Sequence, residues 1–154
     1  MKIKRSSICT LKFTNQGKLE RLRTVLKEYG EVVNFFISKF WETTPKKVEL
    51  LKSIVNSSDS WLTARAKKVA AREAIDLINS SKESAKALDK IPKMPLHHGN
   101  SMHISSTLIQ LKPSRNTFDY WLHLYSLGKG IILDLPIKGH KQMNKLKALG
   151  KRLE

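Results

Sequence analysis

Cysteine occurs once in this chain of 154 residues, at Cys9, so no internal disulfide can form and a reducing, cytoplasmic setting is expected. Long apolar runs are missing as well. No stretch approaches the roughly 20 residues that a membrane span requires, and "ICTLKFTNQ" after the basic opening "MKIKRSS" is too short and too polar for the core of a signal peptide. The opening is therefore expected to remain in the mature protein. Acid is scarce: 13 Asp and Glu face 29 Lys and Arg, a formal charge of +16. Self-repulsion of that size is ordinarily relieved by a polyanion, which makes nucleic acid the leading partner. There is no GxxxxGK[ST] loop for phosphates and no GxSxG, and Cys9 has no recognisable base beside it.

What is present alternates between two periods. Residues 2–13, "KIKRSSICTLKF", place Ile3, Cys9, Leu11 and Phe13 on one side and Lys2, Lys4, Thr10 and Lys12 on the other, which predicts a strand. From residue 14 to 42 the spacing becomes three and four, with Leu19, Leu22, Val25, Leu26, Tyr29, Val32, Val33, Phe36, Ile37, Phe40 and Trp41 in register. That predicts a long amphipathic helix capped by Thr14 or Asn15 and bent at Gly30. A short helix is expected in "PKKVELLKSIV", and a third begins after "NSSDS", capped by Asp59 or Ser60, with Leu62, Ala66, Val69, Ala70, Ala74, Leu77 and Ile78 turned inward.

The prolines and glycine of "LDKIPKMPLHHGNS" forbid a continuous element, and period two then returns. Strands are expected in residues 102–112, 117–126 and 130–136, joined by "PSRN" and "LGKG". Links this short join antiparallel neighbours. With residues 2–13 as a fourth strand, the fold class is α+β, a small antiparallel barrel interrupted after its first strand by a helical bundle. A basic helix, "HKQMNKLKALGKRLE", closes the chain.

Asp134 stands near the end of an apolar run, as the first metal-binding aspartate of an RNase H-like nuclease does. Two-metal chemistry needs several carboxylates converging on cations about 4 Å apart. Only Glu154 follows Asp134, and Asp119 is the one acid expected across the sheet from it. A turn or strand-end aspartate is the better account, although a metal-dependent nuclease using Asp134 stays as an alternative. His97, His98, His103, His123 and His140 lack cysteine partners at zinc spacing, so no metal and no cofactor is expected.

Arg65, Lys68 and Arg72 recur at helical spacing opposite the apolar stripe, with Trp61 read as lying one turn earlier on the same side. Such a face can follow phosphates and offer a stacking plane. Trp121 and Tyr125 are read as core residues ahead of base platforms.

The order of a basic first strand, "LKEYGEVVNFF", "WLTARAKKVAAREAIDLINSS", "IPKMPLHHGNS" and "ILDLPIKGHKQMNKL" resembles the N-terminal half of transposon-encoded TnpB proteins and the related type V CRISPR effector nucleases. Asn34, Arg65, Arg72, Ala74, Leu135, Pro136 and His140 carry that resemblance. It implies an OB-like wedge barrel, with its first strand in residues 1–14 and the rest in 93–140, split by a helical recognition insert at 15–92 and followed by a basic helix at 141–154. It also implies guide-RNA and target-DNA contacts at Lys2, Lys4, Arg5 and Lys12 and at Lys138, His140 and Lys141. Asp134 would then belong to the wedge. The catalytic aspartate of that family sits in a later "GIDLG"-type strand that this sequence lacks, so no catalytic residue is expected and a RuvC-containing polypeptide, or a second copy of the chain, becomes a candidate partner. A small RNA binder of the ribosomal-protein type is the other alternative.

Overall fold

A computed structural model describes residues 7–115 and 117–150, the side chains of 147, 149 and 150 excepted. Helix α1 runs Gln16–Phe40. Asn15 caps it, its Oδ1 accepting from the Lys18 amide at 2.9 Å. The expected stripe is the buried one: Val25, Tyr29, Val32, Val33, Phe36, Ile37 and Phe40 all turn inward. The helix runs unbroken through Gly30. A Cβ there would stand 2.6 Å from Gly99 Cα, so its missing side chain lets residues 97–99 lie against the helix. Asn34 fastens the same loop, donating to the His97 carbonyl at 2.9 Å and accepting from the His97 amide at 2.8 Å.

The short helix expected in residues 45–55 is broken into a 3-10 turn at Lys47–Glu49 and one turn of helix, α2, at Lys52–Val55. Helix α3 spans Ala64–Ala87 and packs on α1, bringing Ala66, Ala70, Ala71 and Ala74 against the larger α1 side chains. Small residues on one helix allow the close approach that the Phe and Ile of the other need. The α3 cap is Thr63, not Asp59 or Ser60. The reason lies far away in sequence: Leu62 bridges Gly128, the Thr63 amide donates to the Leu127 carbonyl, and the Ser60 hydroxyl donates to Glu28. These contacts hold residues 60–63 extended until Thr63.

The sheet holds three antiparallel strands in the order β1 (Ile109–Pro113), β2 (Tyr120–Leu124) and β3 (Leu133–Ile137). Leu124, Leu133 and Leu135 join α1 and α3 in one hydrophobic core. Helix α4, Lys141–Gly150, follows β3. The fold is thus α+β, but the sheet is open among the described residues and not the closed OB-like barrel expected. The fourth strand is the missing part. Residues 7–11 pair with no ladder and 12–14 turn into α1, with Ile8 exposed, so alternation alone did not make a strand there. Residues 2–6 lie outside the described ones. β1 is also shorter than expected, because Ser105 accepts from the Leu108 and Thr107 amides in a turn. No described helix is long and apolar enough to cross a membrane.

Candidate nucleic-acid interface

The rotation of α3 about its axis is set from below by a buried polar group. Tyr29 Oη donates to Glu73 Oε2 at 2.5 Å, across the α1–α3 interface. His97 Nε2 lies 3.5 Å from Glu73 Oε1, and the His97 Nδ1 accepts from the Gly99 amide at 3.1 Å, which places the ring proton on Nε2. Burial and the Glu73 carboxylate together push the Tyr29 hydroxyl far above the usual tyrosine range. Glu73 and the alanines therefore face α1, and the other side of α3 faces water.

Arg65, Lys68 and Arg72 occupy that outer side, all three exposed. At about 100° per residue they fall within an arc of roughly 60°. None makes an ion pair or hydrogen bond among the described residues. Beside them runs a groove of about 210 Å³, floored by Leu50, Val55 and Ala64 and edged by Lys52, Arg65 and Lys68. Lys52 escapes a reading by helical spacing because it comes from α2. The stripe stops at Asp76, whose carboxylate is held by Lys47 at 2.6 Å, the one Lys or Arg ion pair with a carboxylate among the described residues. Arg65, Lys68 and Arg72 therefore keep their charge open to an external anion.

Trp61 is not on this helix. It precedes Thr63, and its ring covers Gly128, where a Cβ would meet it at 2.5 Å, leaving the side chain partly exposed. His140 is likewise committed to the chain: its Nε2 donates to the Ile8 carbonyl at 2.8 Å, close to Ser7 Oγ, while Nδ1 accepts from the Met143 amide at 3.3 Å and so caps α4. Its neighbours Lys138 and Lys141 are exposed, as is Lys12, whose Nζ sits 4.9 Å from the centre of the Phe13 ring. Lys2, Lys4 and Arg5 lie outside the described residues.

Asp134 faces His123, not another carboxylate. The two are cross-strand partners, with His123 Nδ1 2.6 Å from Asp134 Oδ1. Asp119 does not lie across from Asp134. It sits beyond Tyr120, which pairs with Ile137, and its Oδ2 accepts from the Gly139 amide at 2.7 Å. Four strand positions separate the Asp119 and Asp134 sites, about 13 Å at 3.3 Å per residue, too far to share a metal pair. Searches against protein-family models, curated proteins and solved structures gave no match for this chain.

Proposed function

We propose that this chain binds nucleic acid, structured RNA first, through the outer face of α3 and the groove beside it. The observation that carries the reading is the exposed, unpaired row Arg65, Lys68 and Arg72 with Lys52 across the groove. A row of fixed cations at helical spacing follows a phosphate backbone and contributes affinity without reading bases. Lys138 just after β3 and Lys141 at the start of α4, with Lys12, extend the basic surface around the sheet.

In this reading the chain is a wedge and recognition module of a TnpB-like, RNA-guided nuclease system, holding guide RNA and target DNA and doing no cleavage itself. Pairing of Asp134 with His123 and of Asp119 with a backbone amide supports the non-catalytic part. The wedge assignment further requires closure of the sheet into an OB-like barrel. β1, exposed on four of its five residues, offers the edge for a further strand. A RuvC-containing polypeptide or a second copy of the chain is the proposed protein partner, and Leu88, Ile91, Met94 and Leu96, exposed along residues 88–96, are the apolar surface it would meet.

The test is to isolate the chain from its native cells under nuclease protection and sequence what stays bound. A discrete protected RNA supports the proposal. Protein free of nucleic acid that also fails to bind structured RNA in low salt overturns it.

A further inference from the structure

The sheet has a second face. Alternation along the strands turns Tyr120, Leu122, Leu124, Leu133, Leu135 and Ile137 toward the helices. It leaves Lys112, Trp121, His123 and Asp134 on the opposite face, Lys112 beside Trp121 and His123 beside Asp134 in the ladder, a face that Lys18 of the first turn of α1 reaches. Tyr125 continues the row, its ring stacked on His123 at 5.5 Å. On this face an open depression of about 460 Å³ is lined by Lys18, Lys112, Pro113, Ser114, Trp121 and Asp134. That volume is within the range of sites that take small organic ligands.

The chemistry of the lining is that of a nucleotide. Trp121 is only partly buried and packs against Phe118 in a T-shaped pair, the two ring centres 5.7 Å apart. A ring fixed in this way and partly open to solvent is suited to stack on a base. Lys18 is anchored, donating to the Asp134 carbonyl at 2.6 Å with its Nζ 5.0 Å from the centre of the Trp121 ring, so one positive charge is built into the site. Lys112 is exposed and makes no ion pair among the described residues, which leaves it for a phosphate. The Asp134 carboxylate, 46 % exposed, repels phosphate and so directs it toward Lys112.

We propose that this depression is a subsite for one unpaired nucleotide of a single-stranded nucleic acid, its base stacked on Trp121 and its phosphate held by Lys112. The site rests on the nucleic-acid reading above but is distinct from the α3 face. A duplex cannot use it, because its bases are already stacked on one another, whereas each base of a single strand has a free face.

Four versions of the protein separate the two sites: wild type, Trp121→Leu, Trp121→Phe and the triple variant R65Q/K68Q/R72Q. Each is titrated with 12-nucleotide single strands of RNA and of DNA and with a 12-base-pair RNA duplex. One stacked base contributes about 1–3 kcal/mol, so Trp121→Leu should bind single strands about 5- to 150-fold more weakly and the duplex as tightly as before. Trp121→Phe, which keeps a ring, should restore most of that loss, and thermal melting of all variants guards against a folding defect. A loss on RNA, on DNA or on both supports the subsite and identifies its strand. Equal losses on single strand and duplex, or none on either, overturn the subsite while leaving the α3 reading intact. A wild-type protein that binds none of the three overturns both.

Discussion

Removing the Tyr29 hydroxyl tests the device that orients α3. In Tyr29→Phe the ring stays, so packing against His97 and the helix stripe is preserved, while Glu73 Oε2 loses a donor at 2.5 Å inside the α1–α3 interface. A hydrogen bond to a charged group contributes about 1.5–3 kcal/mol, and a buried carboxylate left short of a donor sits at the upper part of that range. For a chain of this size the loss corresponds to a melting temperature lower by roughly 3–10 °C. The pH dependence gives a second arm. The hydroxyl is held protonated in the fold well above its usual range, by burial first and by Glu73 next. The unfolded chain releases that proton near pH 10 and the folded chain keeps it, so this contribution is complete below about pH 10 and falls at about 1.4 kcal/mol per unit above it. Tyr29→Phe has no such proton. The gap in stability between the two proteins, read by urea unfolding at each pH, should be largest at neutral pH and close as pH rises from 10. A gap under 0.5 kcal/mol at pH 7, or one that widens in alkali, would refute the reasoning.

Gly30→Ala should lower stability by up to about 2 kcal/mol: the new Cβ would stand 2.6 Å from Gly99 Cα, and an overpacking cost of roughly 1–3 kcal/mol outweighs the gain of about 1 kcal/mol from helix propensity. A stabilised variant in the same unfolding assay would show that residues 97–99 are not held against α1. Incubation of the isolated chain with RNA or DNA and Mg²⁺ or Mn²⁺ should give no cleavage, and cleavage that disappears in Asp134→Ala would restore the nuclease alternative. Sedimentation at high concentration should show self-association that Ile91→Glu and Leu96→Glu weaken, since both side chains are exposed, at 88 % and 66 %; a strict monomer would remove residues 88–96 as a surface for a second copy.

The parts legible in the sequence are those decided locally. A stripe from Val25 to Phe40 can be buried on only one side of a helix, and Thr14 and Asn15 are both the kind of residue that caps one, so the start of α1 was readable to within a residue, the structure choosing Asn15. The basic row on α3 was readable for the same reason, being the reverse of the alanine stripe. Misreadings arose where a distant partner decides. Alternation in residues 7–13 becomes a ladder only where a strand edge is taken up, and the sequence does not show that residues 7–11 take up none. Thr63 caps α3 because Leu127 and Gly128 hold the preceding residues extended, which no local pattern announces. Trp61 and His140 have the chemistry of a nucleic-acid contact, yet Gly128 takes the ring of one and Ile8 and Met143 take the nitrogens of the other. The buried group of Tyr29, Glu73 and His97 joins residues 24 to 68 positions apart. In a list of charged and aromatic residues they look like surface and core at random.

The central claim is that the α3 face neutralises phosphates, and the salt dependence of RNA binding addresses it most directly. Each phosphate contact adds about 0.7 to the slope of log K against log salt for single strands and about 0.9 for B-form duplexes. Replacing Arg65, Lys68 and Arg72 together with Gln removes three cations that are exposed and off the buried stripe, so the fold should survive and the slope should flatten by roughly 2–3 units, with little change in sequence preference. A folded triple variant whose slope equals that of the wild type would contradict the claim and leave this face as solvated surface.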